Sequence, residues 1–125
     1  MIRIAECRCG AVRPVRVSVC HCLACQRRTG SAFAAQARFP SERVTVTGET
    51  RTYVRTADSG GTVTYRFCPD CGSTIAYDND LWPGLTAVPL GAFADPDFPA
   101  PRFSVYERRK HAWVAIAGDD VEHHE

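Results

Sequence analysis

Seven cysteines in a chain of 125 residues constrain this fold more than any other feature. They fall into three groups: Cys7 and Cys9 in CRC, Cys20, Cys22 and Cys25 in CHCLAC, and Cys68 and Cys71 in CPDC. An odd number cannot close into a complete set of internal disulfides. The opening MIRIAECRCGAV shows neither the apolar stretch nor the cleavage site of a secretory signal. The expectation is therefore a cytoplasmic protein, where cysteine clusters bind metal or take part in catalysis.

Spacing divides the cysteines between two ions. In FCPDCGS two thiols stand three positions apart in a tight turn, and the following glycine lets backbone amides approach the sulfurs. In CRC, strand alternation puts both thiols on one face. The two pairs complete a tetrahedral set, so Cys7, Cys9, Cys68 and Cys71 are assigned to one structural zinc. Such an ion would tie the start of the chain to a hairpin some 60 residues later. In small peptides structural zinc contributes about 10–16 kcal/mol to folding. Cys20, Cys22 and Cys25 remain, close enough to surround a second ion. Three protein ligands and one exchangeable position are the pattern of a catalytic zinc. An ion held by soft thiolates favours a soft fourth partner, so an external thiol suits the open position. The alternatives are closure by His21, His111 or an acidic residue. His21 lies between two ligands and is expected on the opposite face.

The remaining chain reads as mainly β, in several small sheets within a single domain over residues 1–125. ERVTVTGETRTYVRT (42–56) alternates apolar with polar residues and is expected to form two strands hinged near Gly48. DSGG (58–61) turns the chain into a strand over 62–67. Further strands are expected over 73–78, 85–93, RFSVYE and AWVAIA (112–117). One short helix fits Ala24–Thr29, stopped by Gly30. No apolar run approaches the roughly 20 residues that span a bilayer. The net charge of +1 and the lack of a basic stripe argue against a nucleic-acid partner. Phe33, Phe39, Tyr65, Phe67, Trp82 and Trp113 fit a core better than a pocket wall. The small residues of GSAFAAQARF (30–39) and the loop YDNDLWPG (77–84) point toward a pocket.

Five stretches together resemble the glutathione-dependent formaldehyde-activating enzymes, whose domain is shared with centromere protein V. They are CRCGAV, CHCLACQRRTGSAFA, VTGETRTYVRTADSGGTVTYRFCPDCGSTI, PGLTAVPLGAFADP and HAWVAI. The resemblance implies a β-tent-like zinc-binding domain of small antiparallel sheets. It implies a structural zinc on Cys7, Cys9, Cys68 and Cys71 and an active-site zinc on Cys20, Cys22 and Cys25, in agreement with the spacing. The activity implied is a carbon–sulfur lyase of the S-(hydroxymethyl)glutathione synthase type, joining formaldehyde reversibly to glutathione. Glutathione, or another small thiol with an aldehyde, is then the expected partner. Arg27 and Arg28 are candidates to bind its carboxylates, because a guanidinium matches that geometry. His21 is a candidate proton donor. Two other readings compete: a non-catalytic zinc module for interactions, and a store of labile thiols.

Overall fold

A computed structural model describes Arg3–Ala5 and residues 13–125. Among these residues ten strands run in chain order: β1 (Arg3–Ala5), β2 (Arg16–Cys20), β3 (Ala34–Pro40), β4 (Thr45–Thr47), β5 (Arg51–Thr56), β6 (Thr62–Phe67), β7 (Thr74–Asn79), β8 (Leu85–Pro89), β9 (Phe103–Val105) and β10 (Glu122–His123). One α-helix, α1 (Leu23–Thr29), joins β2 to β3. The fold is mainly β, as the sequence indicates. Its strands gather into one eight-stranded sheet, ordered β10-β9-β2-β3-β8-β7-β6-β5, and a two-stranded pair of β1 with β4. The large sheet is mixed: β9 runs parallel to β2 and β10, and the other pairs are antiparallel.

Strands β2 and β3 lie inside this sheet, with neighbours on both sides, and their side chains alternate between its faces. On one face Val17, Ala37, Phe39 and Val88 are buried together, covered by Val44, Leu90, Phe93 and Phe98. Phe39 is only 1% exposed, and its ring lies 5.8 Å from that of Phe93, which stacks at 4.6 Å on Phe98. Burying a side chain such as Phe39 contributes about 1.5–3 kcal/mol. On the opposite face the register sets Arg16 beside Arg38, Ser18 beside Gln36, and Cys20 beside Ala34. That face continues across Ala87 to Tyr77, Tyr65 and Tyr53. The alternation of RVSVC thus sends two valines into a core and an arginine, a serine and a cysteine to the other side.

The hinged strands, the β5–β6 hairpin and the short helix match the sequence reading. Two expectations are corrected. The strand expected over 85–93 ends at Pro89, because Leu90–Phe93 winds into a 3₁₀ turn. This turn brings Leu90 and Phe93 over Phe39. The strand expected over 112–117 is irregular backbone, with Trp113 76% exposed. The strand that pairs with the outer side of β9 is β10 instead. Among the described residues no helix is long and apolar enough to cross a membrane.

Candidate active site

Cys20 is the last residue of β2, Cys22 caps the amino-terminal end of α1, and Cys25 sits in its first turn. The chain must turn sharply here to leave the sheet, and the turn folds the three thiols together. At the N-cap Cys22 is extended (φ −61°, ψ 153°), and its Sγ accepts the Cys25 N–H at 3.4 Å. This is the capping arrangement that serine or aspartate usually supplies, here made by sulfur. At the other end Gly30 adopts φ +68° and donates its N–H to the Gln26 carbonyl. A residue with a Cβ is strained in that left-handed position, so the glycine ends the helix after two turns.

The three cysteines are buried, and their sulfur atoms lie within 4.8 Å of one another. Zinc–thiolate bonds of about 2.3 Å place tetrahedral sulfurs about 3.8 Å apart, so this group can close on a metal ion with little movement. No histidine, aspartate or glutamate among the described residues joins the group. The three thiols act strongly on one another. Hydrogen bonds from Cys20 and Cys25 pull the Cys22 thiol far down, and burial only partly opposes them. The bond to Cys22 pushes Cys20 up, reinforced by Cys25 and by burial. Cys25 is also raised: the bond with Cys20 lowers it, but its bond to Cys22 and its burial prevail.

These sulfurs form one end of a cavity of about 240 Å³ on the polar face of the large sheet. Ser18 and Gln36 line its middle, Arg16, Arg38 and Trp82 its far end, and Arg55, Tyr65, Tyr77 and Tyr106 its walls. Tyr65 is 4% exposed and lies 5.1 Å from the Tyr77 ring. Its hydroxyl accepts the Arg55 Nε–H at 3.0 Å. Desolvation lowers the Arg55 pKa, but the Tyr65 bond and the nearby Cys22 and Cys25 charges outweigh it and raise the net value. Arg55 thus acts on Cys22, and Arg28 acts on Cys25. Tyr106 packs against the three-cysteine cluster with φ +57°, a left-handed backbone that is unusual for a side chain of its size.

His21 lies on the opposite side, as its position between two of the clustered cysteines suggests. It is 0% exposed, its Nε2 is 2.9 Å from Ser104 Oγ, and its ring packs 5.8 Å from Phe33. It does not line the cavity, so the structure removes it as a proton donor there. His111 is held by Gln26, with Nε2 2.9 Å from Oε1. Arg28 donates to Thr74 Oγ1 at 3.3 Å and lies 5.1 Å above the rings of Tyr65 and Tyr77. Arg27 and Arg28 line a neighbouring cleft with Tyr53 and Arg55, outside the cysteine cavity. Among the aromatic residues, Tyr65 and Trp82 prove to be wall, Phe39 is core, and Trp113 is surface. Both GSAFAAQARF and YDNDLWPG reach the cavity, through Gln36, Arg38, Tyr77 and Trp82. Arg16, Ser18, Gln36, Arg38, Arg55 and Tyr106 were not singled out by sequence. The signal was present in the polar residues at every second position of β2 and β3.

Cys68 and Cys71 lie in the turn between β6 and β7. The Gly72 N–H donates to the Cys68 carbonyl at 2.8 Å, and Gly72 adopts φ +77°. Cys71 Sγ is 3.3 Å from Ser73 Oγ. Hydrogen bonding to the Ser73 side chain, then to its backbone, then to Cys68 lowers the Cys71 thiol. The turn therefore presents two neighbouring sulfurs, one buried and one exposed. The other half of the expected four-cysteine site, Cys7 and Cys9, lies outside the described residues.

No curated protein matches the chain. The family described as glutathione-dependent formaldehyde-activating enzyme matches residues 2–109, a span that contains all seven cysteines and every cavity residue named above. The chain belongs to that family.

Proposed function

We propose that this protein is a zinc-dependent carbon–sulfur lyase that joins formaldehyde to glutathione reversibly, giving S-(hydroxymethyl)glutathione. The observation that carries this reading is the three-sulfur group, buried, with no fourth ligand among the described residues, at the end of a cavity. Cys20, Cys22 and Cys25 would hold the ion. Zinc bound there supplies positive charge that favours the thiolate form of an incoming thiol. The chain does the rest. Arg55, steadied by Tyr65, adds positive potential beside the sulfurs. Trp82 and the tyrosine walls exclude bulk water and orient the substrate. The glutathione sulfur then adds to the aldehyde carbon: a C–S bond forms, the C=O π pair moves to oxygen, and a water proton completes the hydroxyl. In reverse the C–S bond breaks and formaldehyde leaves.

A second zinc, on Cys7, Cys9, Cys68 and Cys71, completes the proposal, with two ions per chain in a single domain of residues 1–125. Five free thiols among the described cysteines suit a reducing compartment, so we place the protein in the cytoplasm. Formaldehyde and glutathione also combine without a catalyst, so the test must compare rates. Exchange NMR on an equilibrium mixture measures the interconversion directly. Wild-type protein is expected to accelerate it, and Cys22→Ala to return it to the uncatalysed rate. Zinc-loaded wild-type protein that gives no acceleration would overturn the catalytic reading in favour of a zinc-binding interaction module.

A further inference from the structure

The far end of the cavity holds two guanidiniums that make no ion pair among the described residues. Arg16 and Arg38 are direct partners on β2 and β3. Neither forms an ion pair or a side-chain hydrogen bond among the described residues. Aromatic rings hold them instead. The Arg16 guanidinium lies 3.8 Å over the Phe103 ring and 5.1 Å from Trp82, and that of Arg38 lies 4.8 Å from Trp82. Stacking fixes the planes of both groups and leaves their N–H edges unused. The Arg16 Nε is buried and has no hydrogen-bond partner. Burial and the neighbouring Arg38 both lower the Arg16 pKa, and Glu122 opposes them only through space. Two like charges kept together at such a cost are a reason to look for an anion.

The space between this pair and the thiols is also polar. Gln36 is 4% exposed and donates to Ser18 Oγ at 2.7 Å, while its Oε1 is buried without a partner. A buried amide oxygen left unpaired loses about 1–3 kcal/mol of hydrogen-bonding free energy, which a ligand N–H would restore. Cys20 and Arg16 are four residues apart on one strand face, which puts their Cα atoms about 13 Å apart. A ligand that touches both ends must therefore carry its anion many bonds from its sulfur.

We propose that Arg16 and Arg38, stacked on Trp82 and Phe103, form a carboxylate subsite that selects thiols bearing a carboxylate at the far end of an amide-containing chain. The cavity would thus discriminate peptide thiols from small alkyl thiols. This inference rests on the thiol-enzyme reading for what faces the cysteines, but the subsite can be tested without a thiol. The probe is S-methylglutathione, which keeps both carboxylates and cannot react through sulfur. Its binding to the full-length, zinc-loaded protein is measured by calorimetry beside that of its dimethyl ester and of inorganic phosphate. The acid is expected to bind about ten- to a hundredfold more tightly than the ester, the range of one or two charge-assisted hydrogen bonds. Arg16→Gln and Arg38→Gln are each expected to remove most of that difference.

Equal binding of acid and ester by wild-type protein would overturn the subsite, whatever the variants do. Phosphate binding as tight as the acid would overturn it as a carboxylate site. Arginine-dependent binding of the acid, combined with no acceleration of formaldehyde exchange, would uphold the subsite and refute the proposed reaction instead.

Discussion

Tyr65→Phe removes one oxygen atom and tests whether the cavity wall acts through its hydroxyl. The phenylalanine ring retains the packing on Tyr77, 5.1 Å away, and the place under the Arg28 guanidinium. What is lost is the 3.0 Å bond from Arg55 Nε. A hydrogen bond to a charged group contributes about 1.5–3 kcal/mol when buried. Arg55 is only part-buried, so water replaces some of it and the expected loss is about 1 kcal/mol. For a domain of this size that lowers Tm by about 4 °C. Arg55 is also freed from its place beside the thiols, so thiol affinity should fall by up to about tenfold. Thermal unfolding and calorimetry with glutathione measure the two effects separately. An unchanged Tm and unchanged affinity would show that Arg55 is positioned by something else. A loss beyond about 3 kcal/mol would refute the reasoning from the other side, since a single hydroxyl cannot account for it.

The other predictions concern the frame around the site. Phe39→Ala should cost about 3–5 kcal/mol in denaturant unfolding, because the ring fills the core beneath β2 and β3; a cost below about 1 kcal/mol would mean that this face is loosely packed. Acid should release β10. Desolvation raises the Glu107 carboxyl, but hydrogen bonds from Ser104 and His123 outweigh it and hold it below its usual 4.5. A carboxylate depressed in the folded state stabilises above its unfolded pKa, and this contribution is lost as pH falls through the folded value. Hydrogen exchange at the Glu122 and His124 amides should therefore lose protection below 4.5, before the β2 and β3 amides do. Protection that persists well below that value would refute the coupling.

Much of the site was legible in the sequence because cysteine chemistry is local. Six positions hold the three clustered thiols, and a helix capped by Cys22 brings the N-cap and its first turn together without help from the rest of the chain. The arginine end was not legible in the same way. Arg16 and Arg38 are 22 positions apart, and only the β2–β3 register makes them neighbours. The alternation of RVSVC and of AAQARFP marks both as half-polar strands, and reading it would have aligned Arg16, Ser18 and Cys20 on one face. The helix was visible from its own stop signal at Gly30. The strand expected at AWVAIA failed for a tertiary reason: its apolar pattern is real, but β10, and not this stretch, pairs with β9. His21 shows the reverse. Its neighbours are two of the clustered cysteines, yet chain geometry turns it toward Ser104, and proximity in sequence misled where alternation did not.

The central claim is that Cys20, Cys22 and Cys25 hold a metal ion with one exchangeable position. Cadmium NMR of the cadmium-substituted protein tests it directly, because the resonance position reports the number of sulfur ligands. Two resonances are expected, one from a four-sulfur site and one from a three-sulfur site. Added glutathione should move only the second toward the first, and Cys22→Ala should abolish the second alone. A three-sulfur resonance that does not move with excess glutathione, or two four-sulfur resonances in the free protein, would contradict the account.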